Sequence, residues 1–146
     1  MHNVDPGSKH DISLLENLRS IRICADDRNE DMDANIPKIQ HYLSQLQKHT
    51  PHLEEISIVI CYENDKSLEA LSVFDRVLSR KGFENLRVLQ FEVHFPPNYE
   101  WTATVKSVRT VFRELKEKFP LVQKRATIKT VQPRLLYPWF GTGRKG

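Results

Sequence analysis

The sequence repeats one short phrase three times: Leu18–Ile23 (LRSIRI), Leu53–Ile58 (LEEISI) and Leu86–Phe91 (LRVLQF). Each copy reads Leu-x-x-hydrophobe-x-hydrophobe, and a weaker fourth copy begins at Leu121 and runs to Ile128. The copies begin 35, 33 and 35 residues apart. Regular recurrence of one supersecondary unit is typical of a stacked architecture, so the repeat decides the fold class.

Helical patterns separate the copies of the phrase. The first predicted helix has Asn35 as its N-cap and Pro37 in its first turn, where a missing N–H costs nothing. The second begins near Ser67 and stops at Gly82, a residue suited to a left-handed C-terminal cap. The third begins near Thr102. One helix between successive strands predicts parallel neighbours with right-handed crossovers.

The strand residues between the repeated hydrophobes point to the opposite face of the sheet. Most of them are polar, whereas a sheet covered on both faces has nearly continuous apolar strands. We therefore predict an α/β fold: a short right-handed βα solenoid with a parallel sheet of about four strands and helices on one face. The residues predicted to bind a partner from the open face are Ser20, Arg22, Glu55, Ser57, Val88, Gln90, Glu92, Arg125 and Thr127.

A polar residue precedes the leading leucine in the three strong copies, at Asn17, His52 and Asn85. With this cadence, the region from about Leu14 to Lys129 resembles the leucine-rich repeats of fungal F-box-like proteins. The resemblance implies a repeat domain over residues 14–131 that recognises a protein substrate. We find no F-box in the sequence, so the resemblance implies repeats that do not recruit a ubiquitin ligase by themselves.

Composition is that of one soluble globular domain: 146 residues, 39% hydrophobic and 28% charged. No apolar run approaches the roughly 18 residues of a membrane span, and the first residues lack a signal-peptide pattern. We therefore expect no membrane partner and an intracellular location, cytoplasmic or nuclear. Cys24 and Cys61 fit no metal spacing and are predicted to be half-buried thiols on neighbouring strands, without a disulfide.

The two ends of the chain differ from the repeats. Residues 1–13 are predicted to be a flexible N-terminal segment, and residues 132–146 form a basic, aromatic tail. No acidic residue follows Glu117. The tail can cover the end of the last repeat, because solenoid ends need caps, or it can bind nucleic acid by stacking. We favour the cap, since large apolar groups seldom remain in water without a role.

No catalytic or metal-binding pattern stands out. An EF-hand loop starting at Asp27 would have Met32 where glycine is needed and Lys38 where a bidentate glutamate is needed. The six histidines are scattered and no pair of cysteines completes a zinc shell. We therefore predict no cofactor, no metal and no enzymatic activity.

The sequence thus predicts a non-enzymatic protein–protein interaction module with an unidentified protein partner. Homo-association through an exposed repeat end is a secondary expectation. One alternative is a nucleic-acid-binding module that uses the basic aromatic tail. Another is a small α/β enzyme with a site at the carboxyl ends of the strands, around Asp26, Asp27, Glu63, Asp65, His94 and Asn98.

Overall fold

A computed structural model describes residues 2–4, 17–24, 32–62, 65–95 and 107–132, with backbone alone for 2–4 and 32–34. The fold is α/β, with strands and helices alternating along most of the chain. The elements are β1 (His2–Val4), β2 (Ser20–Cys24), α1 (Met32–His49), β3 (Glu55–Cys61), α2 (Asp65–Leu71), α3 (Val73–Leu78), β4 (Val88–His94), α4 (Val108–Glu117), a 3₁₀ turn (Val122–Lys124) and β5 (Thr127–Val131).

The sheet is parallel throughout, and its strands stand side by side in chain order, β1-β2-β3-β4-β5. The parallel α/β arrangement is confirmed, with one strand more than the sequence predicts. The additional strand, β1, pairs His2–Val4 with Ile21–Ile23 and lies inside the segment predicted to be flexible. Three residues are too few for an alternating pattern to be recognised, so sequence periodicity did not reveal this strand.

One continuous hydrophobic core joins the helices to a single face of the sheet. Its strand residues are those at the repeated hydrophobic positions, such as Ile21, Ile56 and Leu89, which are fully buried. The buried apolar residues of all four described helices belong to the same cluster. At about 25 cal/mol per Å² of buried apolar surface, this core is the main stabilising contribution to the fold.

Backbone hydrogen bonds link each repeat to the next at the residue after the leading leucine. The Arg19 carbonyl accepts from the N–H groups of Glu54 and Glu55, at 2.8 and 3.0 Å. The Glu54 carbonyl accepts in the same way from Arg87 and Val88, at 2.7 and 3.1 Å. Neighbouring units are therefore joined by main-chain contacts that do not depend on side-chain identity.

The first two predicted helices differ from the observed ones. The first helix begins at Met32, so Asn35 is a buried helical residue rather than an N-cap, and Pro37 lies inside the helix. The second helix is divided into α2 and α3 at Ser72, whose hydroxyl donates to the Glu69 carbonyl at 2.6 Å. Such local hydrogen bonds compete with regular helix, and they cannot be inferred from the spacing of apolar residues.

The turn after α3 contains a glycine that the backbone conformation requires. Gly82 has φ +110°, in the left-handed region, as its predicted capping role demands, although α3 already ends at Leu78. A Cβ atom at this position would meet the Gln47 side chain and would lie 2.9 Å from the Gln47 carbonyl oxygen. The close approach of this turn to α1 therefore also favours glycine.

Helix α4 is capped by Ser107, whose hydroxyl accepts from the Thr110 N–H at 3.1 Å. Ser107 has an extended backbone, so the helix begins at Val108 and not near Thr102, a residue outside the described ranges. No helix of the described residues has the length and apolar character needed to cross a membrane.

The fourth copy of the phrase is displaced from its predicted frame. Ile128 pairs with Leu89, and that alignment places Arg125 at the position of the leading leucine. Leu121, predicted to be that leucine, is 40% exposed, whereas its neighbour Val122 is fully buried. The Asp75 carboxylate fixes this turn, because it accepts from both backbone N–H groups of Leu121 and Val122, at 3.1 and 2.9 Å.

Candidate binding surface

The second face of the sheet, opposite the hydrophobic core, contains most of the residues predicted to bind a partner. Pairing aligns them in rows across the strands. One row is Ser20, Glu55, Val88 and Thr127, and the next is Arg22, Ser57, Gln90 and Lys129. The buried apolar residues of the described helices all belong to the opposite core, so none of these helices packs across this face.

An ion pair crosses the middle of the second face. Arg22 on β2 and Glu92 on β4 lie two strands apart, yet their closest atoms, Nη2 and Oε2, are 2.6 Å apart. Arg22 Nε lies 3.3 and 3.2 Å from the two carboxylate oxygens. The guanidinium fork suits such a contact with a carboxylate. The two charges neutralise each other in the centre of this face.

Small side chains on β3 allow that ion pair to form. Ser57 and Val59 occupy the strand between the two charged residues and are 2% and 3% exposed. Gln90 Nε2 donates to Ser57 Oγ at 3.3 Å, which adds a further cross-strand contact. The centre of the second face is thus a closed polar cluster, defined here by Arg22, Ser57, Gln90 and Glu92.

Four other predicted residues line a separate groove at the amino ends of β3, β4 and β5. The groove has a volume of about 620 Å³. Glutamates at the start of β3 form one side, and basic residues that directly precede β5 form the other, with Arg87 between them. The lining residues are Glu54, Glu55, Arg87, Val88, Gln123, Lys124, Arg125, Ala126 and Thr127. Because it has both acidic and basic residues, this amino-end groove can bind a peptide that carries charges of both signs.

Arg125 does not lie on the sheet face as predicted. Its Nη2 donates to the Leu78 carbonyl at the end of α3, at 2.6 Å, and it stands where the other units have a leading leucine. Those leucines, Leu18, Leu53 and Leu86, are buried. The apolar Leu121 suggested a frame in which Arg125 faced outward. The paired strands show that it lines the amino-end groove instead.

The remaining predicted residue, Ser20, begins β2 at the margin of the second face. Its hydroxyl oxygen is buried and has no hydrogen-bond partner among the described residues. The sequence-based selection also omitted residues that continue the alternation past the end of the phrase, where the motif no longer marks strand positions. These residues of the second face are Cys61, His94 and Val131.

The two cysteines are half-buried at the ends of neighbouring strands, β2 and β3, and no disulfide joins them. This arrangement agrees with the prediction from their spacing. Arg22 Nη1 lies 3.3 Å from Cys24 Sγ, so the first thiol belongs to the edge of the closed polar cluster.

The alternative site at the carboxyl ends of the strands is only partly described. Asp65 accepts a hydrogen bond from the Tyr62 hydroxyl at 3.1 Å, and His94 ends β4. The other four residues of that hypothesis, Asp26, Asp27, Glu63 and Asn98, lie outside the described ranges. Within those ranges, no group of three or more His, Cys, Asp or Glu residues is arranged to hold a metal ion.

The geometry therefore places two distinct polar features on one sheet: a closed cluster at its centre and a groove at its amino edge. Comparisons of the chain with protein-family models, curated proteins and solved structures give no match. The resemblance to leucine-rich repeats accordingly stays a prediction from the sequence.

Proposed function

We propose that this protein is a non-enzymatic protein–protein interaction module. In this proposal the chain is a short right-handed arc of βα units, similar to a leucine-rich-repeat domain, and its second sheet face binds a protein. The sequential parallel strand order supports the arc, because parallel crossovers are right-handed in nearly all proteins.

One observation carries the proposal: in the described part of the chain, only one face of the parallel sheet contributes to the hydrophobic core. All-parallel sheets usually have helices over both faces, and their strands are apolar on both. Here the other face has an ion pair and a side-chain hydrogen bond between strands. Stacked-repeat proteins use such extended surfaces for binding.

The amino-end groove is an accessible part of this surface. Thr127 is exposed, and Glu55 and Val88 beside it are half-buried. The Glu54 carboxylate is already paired with Arg19, at 2.6 Å. A peptide with a basic residue toward Glu55 and an acidic residue toward Arg87 and Lys124 would match the remaining charges of both walls. Mixed charge of this kind gives specificity for one orientation of the partner.

The resemblance to F-box-like proteins would make that partner a substrate for ubiquitin ligation only if an F-box is supplied by another part of the system. A second copy of this chain is the other protein partner to consider. The experiment below distinguishes it from a different protein.

Site-specific photocrosslinking in cell extract tests the proposal. A photoreactive residue in place of Thr127, in the groove, should give a discrete protein adduct. The same residue in place of Arg80, which is exposed on the helical side, is the matched control. Exchanging the wall charges in the double variant Glu55→Lys, Arg87→Glu should abolish the adduct at Thr127.

Equal adducts from both positions, or an adduct that survives the charge exchange, would contradict the proposal. An adduct that mass spectrometry identifies as this chain would assign the groove to self-association. Circular dichroism of each variant shows whether the fold is retained.

A further inference from the structure

A second cleft, separate from the amino-end groove, lies between α4 and the edge strand β5. Its volume is about 490 Å³, and its lining combines an apolar floor with a basic rim. The lining residues are Val108, Arg109, Phe112, Arg113, Lys116 and Thr130. None of them was selected from the sequence as a binding residue.

The cleft exists because the fourth unit lacks one core residue. Register places Thr130 opposite Phe91, and Phe91 opposite Ile58, so Thr130 stands at the last hydrophobic position of the phrase. Strands β2, β3 and β4 fill that position with the fully buried side chains of Ile23, Ile58 and Phe91. Thr130 is smaller and half-buried, which leaves Val108 and Phe112 only partly covered.

The backbone of β5 has an outer edge with hydrogen-bonding capacity. Among the described residues, β5 is the last strand of the sheet. The Thr127 N–H donates to the Arg87 carbonyl at 2.8 Å, so alternate residues from Thr127 onward bond to β4. Ile128 and Thr130 therefore direct their N–H and C=O groups away from β4. Such an edge is a template for one more strand.

The rim of the cleft is positively charged. Arg109, Arg113 and Lys116 are exposed, and their spacing of four and three residues places them on one side of α4. Glu114 projects from another side of α4, and Glu117, one helical turn after Arg113, does not line the cleft. A partner segment on the helical side of β5 would meet three cations beside an apolar floor.

From these features we infer that the β5 edge binds an extended, acidic segment of a partner protein as a sixth parallel or antiparallel strand. Alternate side chains of the added strand would point toward α4. An apolar one would contact Val108 and Phe112, and acidic ones would pair with Arg109, Arg113 or Lys116. This β5 edge site is distinct from the second sheet face and the groove, so either can fail without the other.

Charge and hydrogen-bonding capacity favour this occupant. A second copy of the chain would bring the same three cations to the edge and would be repelled. A nucleic acid would satisfy the cations, but it has no peptide backbone to complete the alternating N–H and C=O pattern of β5. An acidic strand matches both features.

Fluorescence anisotropy with the full chain tests the inference. The probe is a fluorescein-labelled eight-residue peptide, Thr-Glu-Thr-Val-Thr-Glu-Thr-Val, which places Glu and Val on the same face of a strand, and the same peptide with Lys in place of Glu is the charge control. We expect the acidic peptide to bind and the basic one to bind at least tenfold more weakly. Backbone N-methylation of the acidic peptide at alternate residues should abolish binding, because a strand then loses its donors.

Two variants relate binding to the cleft. The double variant Arg113→Glu, Lys116→Glu should weaken binding of the acidic peptide at least tenfold, whereas Arg76→Glu, an exposed charge reversal on α3, should not change it. Thr130→Ile restores the missing core residue and leaves the charge unchanged, so it should weaken binding by filling the cleft. Bound peptide should also slow amide exchange at Ile128 and Thr130.

Several outcomes would overturn the inference. Equal binding of both peptides excludes recognition of an acidic segment, and undiminished binding of the N-methylated one excludes strand addition. An oligo-dT strand that binds more tightly than the peptide through Arg113 and Lys116 would assign the rim to nucleic acid. Dimers in sedimentation experiments that Thr130→Ile abolishes would assign the edge to a second copy. Binding gained only in Trp139→Ala, Phe140→Ala would assign the cleft to the chain's own tail.

Discussion

The two faces of the sheet present adjacent residues of the same strands to different surroundings. On β4, Leu89 and Phe91 are fully buried in the core, while Gln90 and Glu92 between them lie on the second face and bond across to β3 and β2. The core face holds the units together by apolar contact, and the second face is organised by directed polar contacts. The alternation of side chains along each strand thus places the residues that stabilise the domain on one face and the polar residues on the other.

Truncating the core face should have the largest effect. Phe91→Ala removes a fully buried ring that lies 5.2 Å, centroid to centroid, from the ring of Phe119. We expect the free energy of unfolding to fall by about 3–5 kcal/mol in urea denaturation. The neighbouring substitution Gln90→Ala, on the second face, should cost less than about 1 kcal/mol. Similar losses for both would contradict the division of roles between the faces.

A carboxylate buried on the helical side should have the next largest effect. Asp75 is 6% exposed and accepts two backbone hydrogen bonds, so Asp75→Ala would leave both donors without that acceptor. We expect a loss of about 2–3 kcal/mol in the same measurement. Glu69→Ala is the control, since Glu69 pairs with Lys118 at an exposed site and should cost under about 1 kcal/mol. A loss at Asp75 no larger than at Glu69 would exclude the anchoring role.

The ion pair of the second face should contribute less than either core group. In a double-mutant cycle with Arg22→Ala and Glu92→Ala, we expect a coupling free energy of about 0.5–1 kcal/mol, because both side chains keep some contact with water. The coupling should decline as salt is raised. A coupling as large as the cost of Phe91→Ala would mean that both faces contribute equally to stability.

The smallest effect concerns a polar atom without a partner in the core. The Tyr42 hydroxyl is buried and has no hydrogen-bond partner among the described residues. We expect Tyr42→Phe to raise the free energy of unfolding at pH 7 by about 0.5–1 kcal/mol, since it removes the desolvation cost of that group.

The same variant should change the dependence of stability on pH. Burial raises the pKa of Tyr42 above its ordinary value near 10. Above pH 10 the unfolded chain then ionises this group more readily than the folded chain does, so stability falls as pH rises. Tyr42→Phe should lose less stability between pH 10 and 11 than the natural chain. Identical pH profiles would show that the hydroxyl is not desolvated.

Much of this fold could be predicted from the leading leucines and the paired hydrophobes, because burial on one face imposes a period that is visible in the sequence. The alignment of the fourth unit with the other three could not be predicted from these residues. Leu121 is apolar and correctly spaced, but the buried position belongs to Val122, and only strand pairing identifies Arg125 as the equivalent of the leucines. The hydrophobic period of the sequence identifies residues of the right type, but it cannot decide between two adjacent alignments of the repeat.

The candidate surfaces were predictable to a lesser degree. Alternation correctly assigned Arg22, Ser57 and Glu92 to one face, but a contact between residues 70 positions apart depends on the register of three strands. The cleft beside β5 forms because the Thr130 side chain is too small to fill its core position. No residue pattern in the sequence indicates such a space. The direction of a side chain along a strand follows from the local sequence, whereas the shape of a groove depends on residues that are distant in the sequence.

The sequential strand order has a consequence for how the chain forms during synthesis. Each strand pairs with the one made just before it, so no strand must wait for a later segment to find its neighbour. A newly made unit can dock onto a finished one, its main chain bonding to a carbonyl already in place, as Glu54 does to Arg19. Assembly of the described strands can therefore follow translation from β1 toward β5, and of these strands β5 is the last to find a neighbour.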